Sequence, residues 1–179
     1  DYALDPASDT VLDNLKNSGY DVISIGKISD IFNNCGITKS IKTSDNLDGI
    51  KRIIEIEKEE FNGLCFANLN DFDSKYGHRR NIKGYAEAIK EFDNYLPEIK
   101  ENLREDDLLI ITADHGNDPS YRGMDHTREN IPVLIYSKSF EEPKRLNDLE
   151  CFTDVGTTVA DNFNVKLPDV GTSFLNKLK

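Results

Sequence analysis

The stretch "YDVISIGKISDIFNNCGITKSIKT", residues 20–43, contains the alternation that decides the fold. Its first eight residues form a short, continuous apolar run that is typical of a buried strand. "ISDIFNNCG" then indicates a short helix that ends at Gly36, and "ITKSIKT" alternates as a strand does. Strand, helix and strand in this order predict parallel strands covered by helices.

The same alternation continues along the rest of the chain. Further helices are predicted over residues 9–19, 46–61, 81–103 and 152–164. The first has Asp9 or Thr10 as its N-cap and ends at Gly19, and the second has Ser44 as its cap. The third is expected to be bent or interrupted near Pro97. Further strands are predicted in "GLCFANL", "DLLIITA" and "IPVLIYS". No linker, repeat or low-complexity segment divides the sequence. We therefore expect one α/β domain, a three-layer α/β/α arrangement with a mainly parallel sheet.

Composition excludes several classes of partner. The formal net charge of -11 argues against nucleic acid and anionic membranes, because phosphate contacts need clustered Lys and Arg. No apolar run is long enough to predict a transmembrane helix. The cysteines Cys35, Cys65 and Cys151 are widely spaced and odd in number, which predicts reduced thiols of a cytoplasmic protein.

All three histidines fall in predicted loops after strands, with carboxylates nearby. His78 lies in "DFDSKYGHRR", and His115 and His126 lie in "ITADHGNDPSYRGMDHTREN". One loop histidine alone would more often be a solvated residue. Three histidines beside aspartates form a ligand set suited to Mn²⁺, Zn²⁺ or Fe²⁺. The histidines and aspartates together offer more ligands than one ion requires, which points to two neighbouring ions.

The glycine and proline content of the second segment supports the same interpretation. Gly116 lets the backbone turn after a ligand, and "NDPS" is a turn that would carry His126 back to face Asp114. Asp118 and Asp125 have an alternative role as turn-capping residues, and Asp71 is expected to be a helper and not a ligand. No GxGxxG, GxxxxGK[ST] or GxSxG motif is present, so a glycine-loop nucleotide site and a serine elbow are unsupported.

The two histidine segments resemble those of the phosphopentomutases, a family of the alkaline phosphatase superfamily. "DFDSKYGHRR" and "DHTRE" carry the resemblance, and "DYALDP", "ISIGKI", "GITKS" and "DVGTSFL" extend it along the chain. "TADHG" is shared with cofactor-independent phosphoglycerate mutases, which would be expected to show a "DMVGHTG"-like segment in place of the first motif. The alternatives are therefore another phosphotransferase or phosphohydrolase of that superfamily, or a non-catalytic metal-binding domain.

The resemblance implies an alkaline-phosphatase-like core and a site that holds two Mn²⁺ ions. Asp73, His78 and His126 would bind one ion, and Asp114 and His115 the other. Lys27, at the end of a predicted strand, resembles a family lysine near the substrate phosphate. The implied reaction interconverts ribose 1-phosphate and ribose 5-phosphate, or the deoxyribose pair, through a phosphothreonine.

The resemblance also implies parts that this sequence does not match. The family carries an N-terminal metal-binding aspartate, a nucleophilic threonine and a cap domain that recognises the pentose. Thr10, Thr38 and Thr43 lack the family's surrounding motif, so no residue here is predicted to be the catalytic nucleophile. Residues 1–179 are thus expected to be the C-terminal part of the metal-binding core, inactive alone, with possible self-association through an exposed sheet edge.

Overall fold

The computed structural model describes residues 4–178. In chain order the regular elements are α1 (Val11–Asn17), β1 (Asp21–Ile25), α2 (Ile28–Ile31), β2 (Lys39–Ile41), α3 (Asn46–Glu57), β3 (Gly63–Ala67), a π-helical segment (Phe72–Gly77), α4 (Ile82–Asn102), β4 (Leu109–Thr112), β5 (Val133–Tyr136), α5 (Thr153–Asn162) and a 3₁₀ turn (Leu175–Lys177).

The chain divides into two compact units. Unit 1 contains Asp1–Lys42, Glu60–Ala67 and Phe140–Lys179, and unit 2 contains Thr43–Glu59 and Asn68–Ser139. In the part of the chain that the structure describes, no helix combines the length and the apolar character needed to cross a membrane.

The centre of unit 1 is a three-stranded sheet in the order β2-β1-β3, with both pairings parallel. Ile23 of the central strand is opposite Lys39 on one side and Cys65 on the other. Val22 and Ile25 are completely buried, because a central parallel strand is covered on both of its faces. The sheet is flanked by helices, which confirms the predicted α/β class with a mainly parallel sheet.

Helix α1 begins where the sequence predicts it to begin. Thr10 Oγ1 accepts a hydrogen bond from the Asp13 backbone N–H at 3.3 Å, and the Asp13 carboxylate accepts one from the Thr10 N–H at 2.8 Å. This capping box satisfies two N–H groups that would otherwise lack partners. Leu12 and Leu15 then point inward and pack with Val22 in the core of unit 1.

In unit 2, helices α3 and α4 pack against each other through Ile50, Ile54 and Ile99. The predicted Ser44 cap is wrong by one residue. Asp45 is the N-cap of α3, and its carboxylate accepts from the Asp48 N–H at 2.8 Å. The Ser44 N–H donates instead to the Asp48 carboxylate at 3.0 Å, so the serine lies one position outside the cap.

Of the bend or interruption predicted near Pro97, the interruption is wrong, because α4 is continuous from Ile82 to Asn102, and the bend stays a prediction. A proline inside a helix removes one backbone hydrogen bond and costs roughly 3 kcal/mol. Burial of Ile99 just beyond it, and packing of Phe92 and Tyr95 just before it, hold both sides of the proline against the α3 core. Tertiary packing therefore overrides the local preference.

Strands β4 and β5 form a separate antiparallel pair in unit 2, with Leu109 opposite Tyr136 and Thr112 opposite Val133. The sequence correctly predicted both strands but not the antiparallel pairing. In an antiparallel pair, the second strand begins at the same end of the pair at which the first strand stops. The connecting segment, residues 113–132, is consequently a closed loop whose two ends lie side by side, and it carries two of the three histidines.

Candidate metal centre

Asp73 and His78 are brought together by a π-helical segment. The sequence predicted a loop here, but Phe72–Gly77 is π-helical, with His78 as the residue that ends it. The His78 N–H donates to the Asp73 carbonyl at 3.0 Å, the five-residue spacing of a π-turn. Residues five apart therefore share one face, and His78 Nε2 lies 3.4 Å from Asp73 Oδ1.

His126 is returned to the same place by the closed loop. Gly116 and Thr127 form an isolated antiparallel bridge in which the Thr127 N–H donates to the Gly116 carbonyl at 3.0 Å. A Cβ atom at Gly116 would lie 2.3 Å from a Glu129 carboxylate oxygen and 2.9 Å from the Thr127 carbonyl oxygen. Only glycine lets the two chain segments approach so closely. The bridge fixes His126, one residue before Thr127.

The side chains converge on one carboxylate oxygen, Asp73 Oδ1. His126 Nε2 lies 3.3 Å from it, His78 Nε2 3.4 Å and His115 Nε2 4.0 Å. The Nε2 atoms of His78 and His126 are 3.0 Å apart. The ring of His115 stacks on that of His126, with centroids 3.7 Å apart. One ligand atom from each of Asp73, His115 and His126 lies within 4.8 Å of the others.

Backbone carbonyls orient two of the imidazoles. His78 Nδ1 lies 2.5 Å from the Met124 carbonyl oxygen, and His115 Nδ1 lies 3.2 Å from the Gly116 carbonyl oxygen. A carbonyl only accepts, so each Nδ1 carries the proton and each Nε2 keeps its lone pair. This is the tautomer that metal-binding histidines adopt, with the second nitrogen donating to a neighbour.

The donor set fits a first-row divalent metal ion. Neighbouring ligand atoms of one ion at about 2.1 Å lie about 3.0 to 3.4 Å from one another in octahedral or tetrahedral geometry, and opposite ligands of an octahedral ion lie about 4.2 Å apart. The three separations among Asp73 Oδ1, His78 Nε2 and His126 Nε2 are 3.0, 3.3 and 3.4 Å. Imidazole nitrogen and carboxylate oxygen together suit Mn²⁺, Fe²⁺ or Zn²⁺. The residues present can therefore hold such an ion without rearrangement.

Asp114 and His115 lie beside this group. Asp114 Oδ2 is 3.6 Å from His115 Nε2, and the Asp114 side chain is 71% exposed. The pair thus presents one carboxylate and one imidazole next to the Asp73 group. The 4.0 Å separation between His115 Nε2 and Asp73 Oδ1 is longer than the separations among Asp73 Oδ1, His78 Nε2 and His126 Nε2.

Three other aspartates have structural roles in this region. Asp71 is buried, and its carboxylate accepts from the Asn46 N–H at 3.0 Å and from Lys75 Nζ at 2.9 Å. Asp118 Oδ1 accepts from the N–H and hydroxyl of Ser120, which lowers the pKa of Asp118. The contribution of Asp125 is its backbone carbonyl, which accepts from Arg80.

Two residues that the sequence did not predict as part of the site, Asn117 and Arg80, contact it. Asn117 is buried, and its Nδ2 donates to Asp73 Oδ1 at 2.6 Å. Arg80 Nη1 donates to Asn117 Oδ1 at 2.9 Å. The sequence indicates Asn117 only indirectly, through its position between the predicted ligands His115 and His126. Which acceptors an arginine reaches depends on contacts across 37 residues and is not visible in a local motif.

Lys27 lies in unit 1, where it is exposed and precedes α2. The five predicted metal ligands all lie in unit 2. A contact between Lys27 and a substrate phosphate therefore stays a prediction.

The sequence matches the Metalloenzyme superfamily over residues 1–167. Among solved structures, the chain is similar to the PH0037 protein from Pyrococcus horikoshii, with a TM-score of 0.57 and 18% identity. This match covers 70% of the present chain and 40% of that chain, so the present chain spans about two fifths of its length. At such identity the likeness shows the fold alone. The family match, together with the group Asp73, His115 and His126, indicates a bound metal. Because the match extends over most of its 179 residues, the chain belongs to the metalloenzyme superfamily.

Proposed function

We propose that this protein is a metal-dependent phosphotransferase of the phosphopentomutase type, acting on ribose 1-phosphate and ribose 5-phosphate or their deoxy forms. The observation that carries the proposal is the convergence of His78 and His126 Nε2 on Asp73 Oδ1. The motif "DFDSKYGHRR", which supplies two of these ligands, is the segment that most resembles that family. Cys35, Cys65 and Cys151 form no disulfide among residues 4–178, which is in keeping with the cytoplasmic location that we propose.

The residues divide into two sets of metal ligands. We assign Asp73, His78 and His126 to one Mn²⁺, supported by their mutual separations of 3.0 to 3.4 Å. Asp114 and His115 are assigned to the second, supported by the 3.6 Å separation between Asp114 Oδ2 and His115 Nε2. When bound, two such ions lower the pKa of an attacking hydroxyl and neutralise charge on the transferring phosphoryl group.

The residues of this chain orient the site and supply little positive charge to it. The chain carries a formal net charge of -11, so a phosphorylated sugar meets an unfavourable overall field. Arg80 directs its guanidinium at acceptors of residues 117–125. Bound cations would reverse the local field, and we propose that Lys27 adds a point charge for the substrate phosphate.

The threonines of the chain are poor candidates for the nucleophile. Thr10 Oγ1 belongs to the capping box of α1, and Thr38 Oγ1 bonds both to the N–H and to the carbonyl of Val22. Thr127 Oγ1, near the metal ligands, donates to Glu129 and accepts from the Asp118 N–H. We propose that the nucleophilic threonine and one further aspartate come from residues outside these 179.

Calorimetric titration with Mn²⁺ tests the metal site on the chain itself. We expect one ion to bind at Asp73, His78 and His126, and a weaker second event at Asp114 and His115, which offer only two ligands. Asp73→Asn should abolish the first event. Asp125→Asn, next to a ligand, is the matched control and should bind as the wild type does. Two equally tight sites would contradict the assignment, and unchanged binding in Asp73→Asn would overturn it.

The substrate is tested on the complete product of the gene. Conversion of ribose 1-phosphate to ribose 5-phosphate, dependent on Mn²⁺ and lost in Asp73→Asn, is the expected result. A parallel assay with 3-phosphoglycerate distinguishes the phosphoglycerate mutase reaction, which the sequence does not favour. Activity on 3-phosphoglycerate without activity on the pentose phosphates would show that the proposed substrate is wrong.

A further inference from the structure

We propose that Arg80 and Asn117 form a positioning relay that holds Asp73 and the ligand loop, residues 117–126, in their metal-binding arrangement before an ion binds. The inference concerns residues that bind no metal and no substrate. It rests on the proposed function in that the same site is taken to hold the ion.

Every nitrogen of the Arg80 guanidinium donates a hydrogen bond to the ligand loop. Nη1 donates to the Asp118 carbonyl at 2.7 Å, Nη2 to the Asp125 carbonyl at 2.5 Å, and Nε to the Gly123 carbonyl. Nη1 also donates to Asn117 Oδ1 at 2.9 Å. One planar cation thus joins the start, middle and end of the loop, and its last acceptor immediately precedes the ligand His126.

Asn117 links Arg80 to the carboxylate of Asp73. Its Oδ1 accepts from Arg80, which directs its Nδ2 toward Asp73 Oδ1 at 2.6 Å. The Asn117 side chain is buried, and a Cβ atom at Gly77 would lie 2.5 Å from its Nδ2, so the amide fits closely against the π-helical segment. The carboxylate is therefore held with Oδ1 toward the histidines, instead of rotating among several orientations.

The same loop orients the second ligand of the π-helical segment. The Met124 carbonyl, between two of the carbonyls that Arg80 contacts, is the acceptor for His78 Nδ1. Arg80 thereby acts on His126 through the adjacent Asp125 carbonyl, on His78 through the loop, and on Asp73 through Asn117. All three ligands of the proposed first ion depend on one guanidinium.

The backbone of Arg80 supports a dedicated role. Its φ angle is +52°, in the left-handed region that non-glycine residues seldom occupy. Residues are kept in such conformations when surrounding contacts determine them, often next to functional sites. Arg80 lies three residues after the end of the π-helical segment, and its side chain contacts the loop. A lysine would present one compact ammonium in place of a planar fork with five N–H groups, so it could not reach these four acceptors together.

The test compares Arg80→Ala, Arg80→Lys and Asn117→Ala with Arg79→Ala. Arg79 is the exposed adjacent arginine and serves as the matched control. Two readouts are needed. The first is amide hydrogen exchange of Asp118 and Thr127 in the metal-free chain, since both N–H groups are hydrogen-bonded across the loop. The second is Mn²⁺ affinity by calorimetry.

We expect Arg80→Ala to accelerate exchange at both amides and to weaken Mn²⁺ binding by about 10- to 100-fold, the usual effect of removing a group that orients ligands. Arg80→Lys should recover only part of each effect, and Arg79→Ala should change neither. Asn117→Ala should weaken binding to a similar extent. In the double variant, the losses should be less than additive if the two residues act in one relay.

The outcomes separate this inference from the proposed function. Unchanged exchange and affinity in Arg80→Ala would overturn the relay, as would strictly additive losses in the double variant. If Arg80→Ala does not fold, Arg80→Lys alone decides, and wild-type amide exchange together with wild-type Mn²⁺ affinity in that variant would overturn the relay. A wild-type chain that binds no Mn²⁺, but whose loop protection still depends on Arg80, would overturn the metal function and leave the positioning of the loop supported.

Discussion

His78 Nε2 and His126 Nε2 lie 3.0 Å apart although 48 residues separate them in sequence. Two imidazole nitrogens that face each other at this distance need a proton or a metal ion between them. Because His78 Nδ1 faces a carbonyl, the lone pair of its Nε2 faces His126. His78 Nε2 can therefore accept a proton from His126 or bind a metal ion together with it, and substitution of either histidine distinguishes the two.

We expect His78→Ala and His126→Ala each to weaken Mn²⁺ binding at least about 100-fold, because removal of a ligand exceeds the usual effect of removing a supporting group. The measurement is calorimetric titration. Tyr121→Ala, an exposed residue of the same loop, is the control and should bind as the wild type does. Retention of wild-type affinity in both histidine variants would contradict the assigned ligands.

Gly77→Ala should damage both stability and metal binding. The new Cβ would lie 2.5 Å from Asn117 Nδ2 and 3.0 Å from the Phe72 carbonyl oxygen, so Asn117 must move. We expect a loss of about 1–3 kcal/mol in the free energy of unfolding. Gly156→Ala is the contrast, since its Cβ would meet only Val11 Cγ2 at 3.9 Å inside α5. That variant should gain about 0.5–1 kcal/mol. Urea unfolding measures both changes.

Glu57 makes folding stability depend on pH. Burial raises the pKa of this carboxyl from 4.5 to about 7, Asp107 and Glu98 add to the rise, and Asn102 opposes it. Its Oε2 has no hydrogen-bond partner among residues 4–178. Between pH 4.5 and about 7, the folded chain holds more protons on Glu57 than the unfolded chain does. Its contribution to stability is therefore present at low pH and is lost as the pH rises through this window.

Glu57→Gln should remove this dependence, because glutamine resembles the protonated form. At pH 8 we expect the variant to be more stable than the wild type by about 1 kcal/mol, a value reduced for solvent screening of a partly exposed group. At pH 5 the difference should be much smaller. Urea unfolding at both pH values gives the comparison, with Glu87→Gln on the exposed face of α4 as control. An equal difference at the two pH values would show that the pKa of Glu57 is not raised.

Asn81, the residue after Arg80, is the N-cap of helix α4. Its Oδ1 accepts from the Gly84 N–H at 2.9 Å. Asn81→Ala should lower the free energy of unfolding by about 1 kcal/mol, whereas Asn81→Asp, which keeps the acceptor, should cost far less. Denaturant unfolding distinguishes the two. Equal losses in both variants would mean that the cap does not stabilise α4.

Local patterns were sufficient for the class of fold, and they singled out Asp73, His115 and His126, which the structure brings together. The strand at residues 21–25 is apolar because both faces of a central strand are covered, and the Thr10 cap needs only neighbours within three residues. Asp73, His78, His115 and His126 stood out because all three histidines of the sequence lie near aspartates in predicted loops. Each of these signals depends on residue type and short spacing.

Other features depended on contacts that no local pattern contains. Pro97 lies inside a continuous helix because Ile99 is buried against α3. The π-turn that joins Asp73 to His78 looked like a loop, since its five-residue spacing has no apolar period of its own.

The sequence by itself determined that this chain alternates strands and helices and carries three histidines close to aspartates. Those properties follow from side-chain polarity and donor chemistry, which each residue carries wherever it lies. Only the tertiary structure decided that His78 and His126 meet at Asp73, and that Arg80 and Asn117 are joined to Asp73 by hydrogen bonds. Hydrogen bonds across 37 to 48 residues exist only after the closed loop has folded back, because its antiparallel base brings the distant segments together.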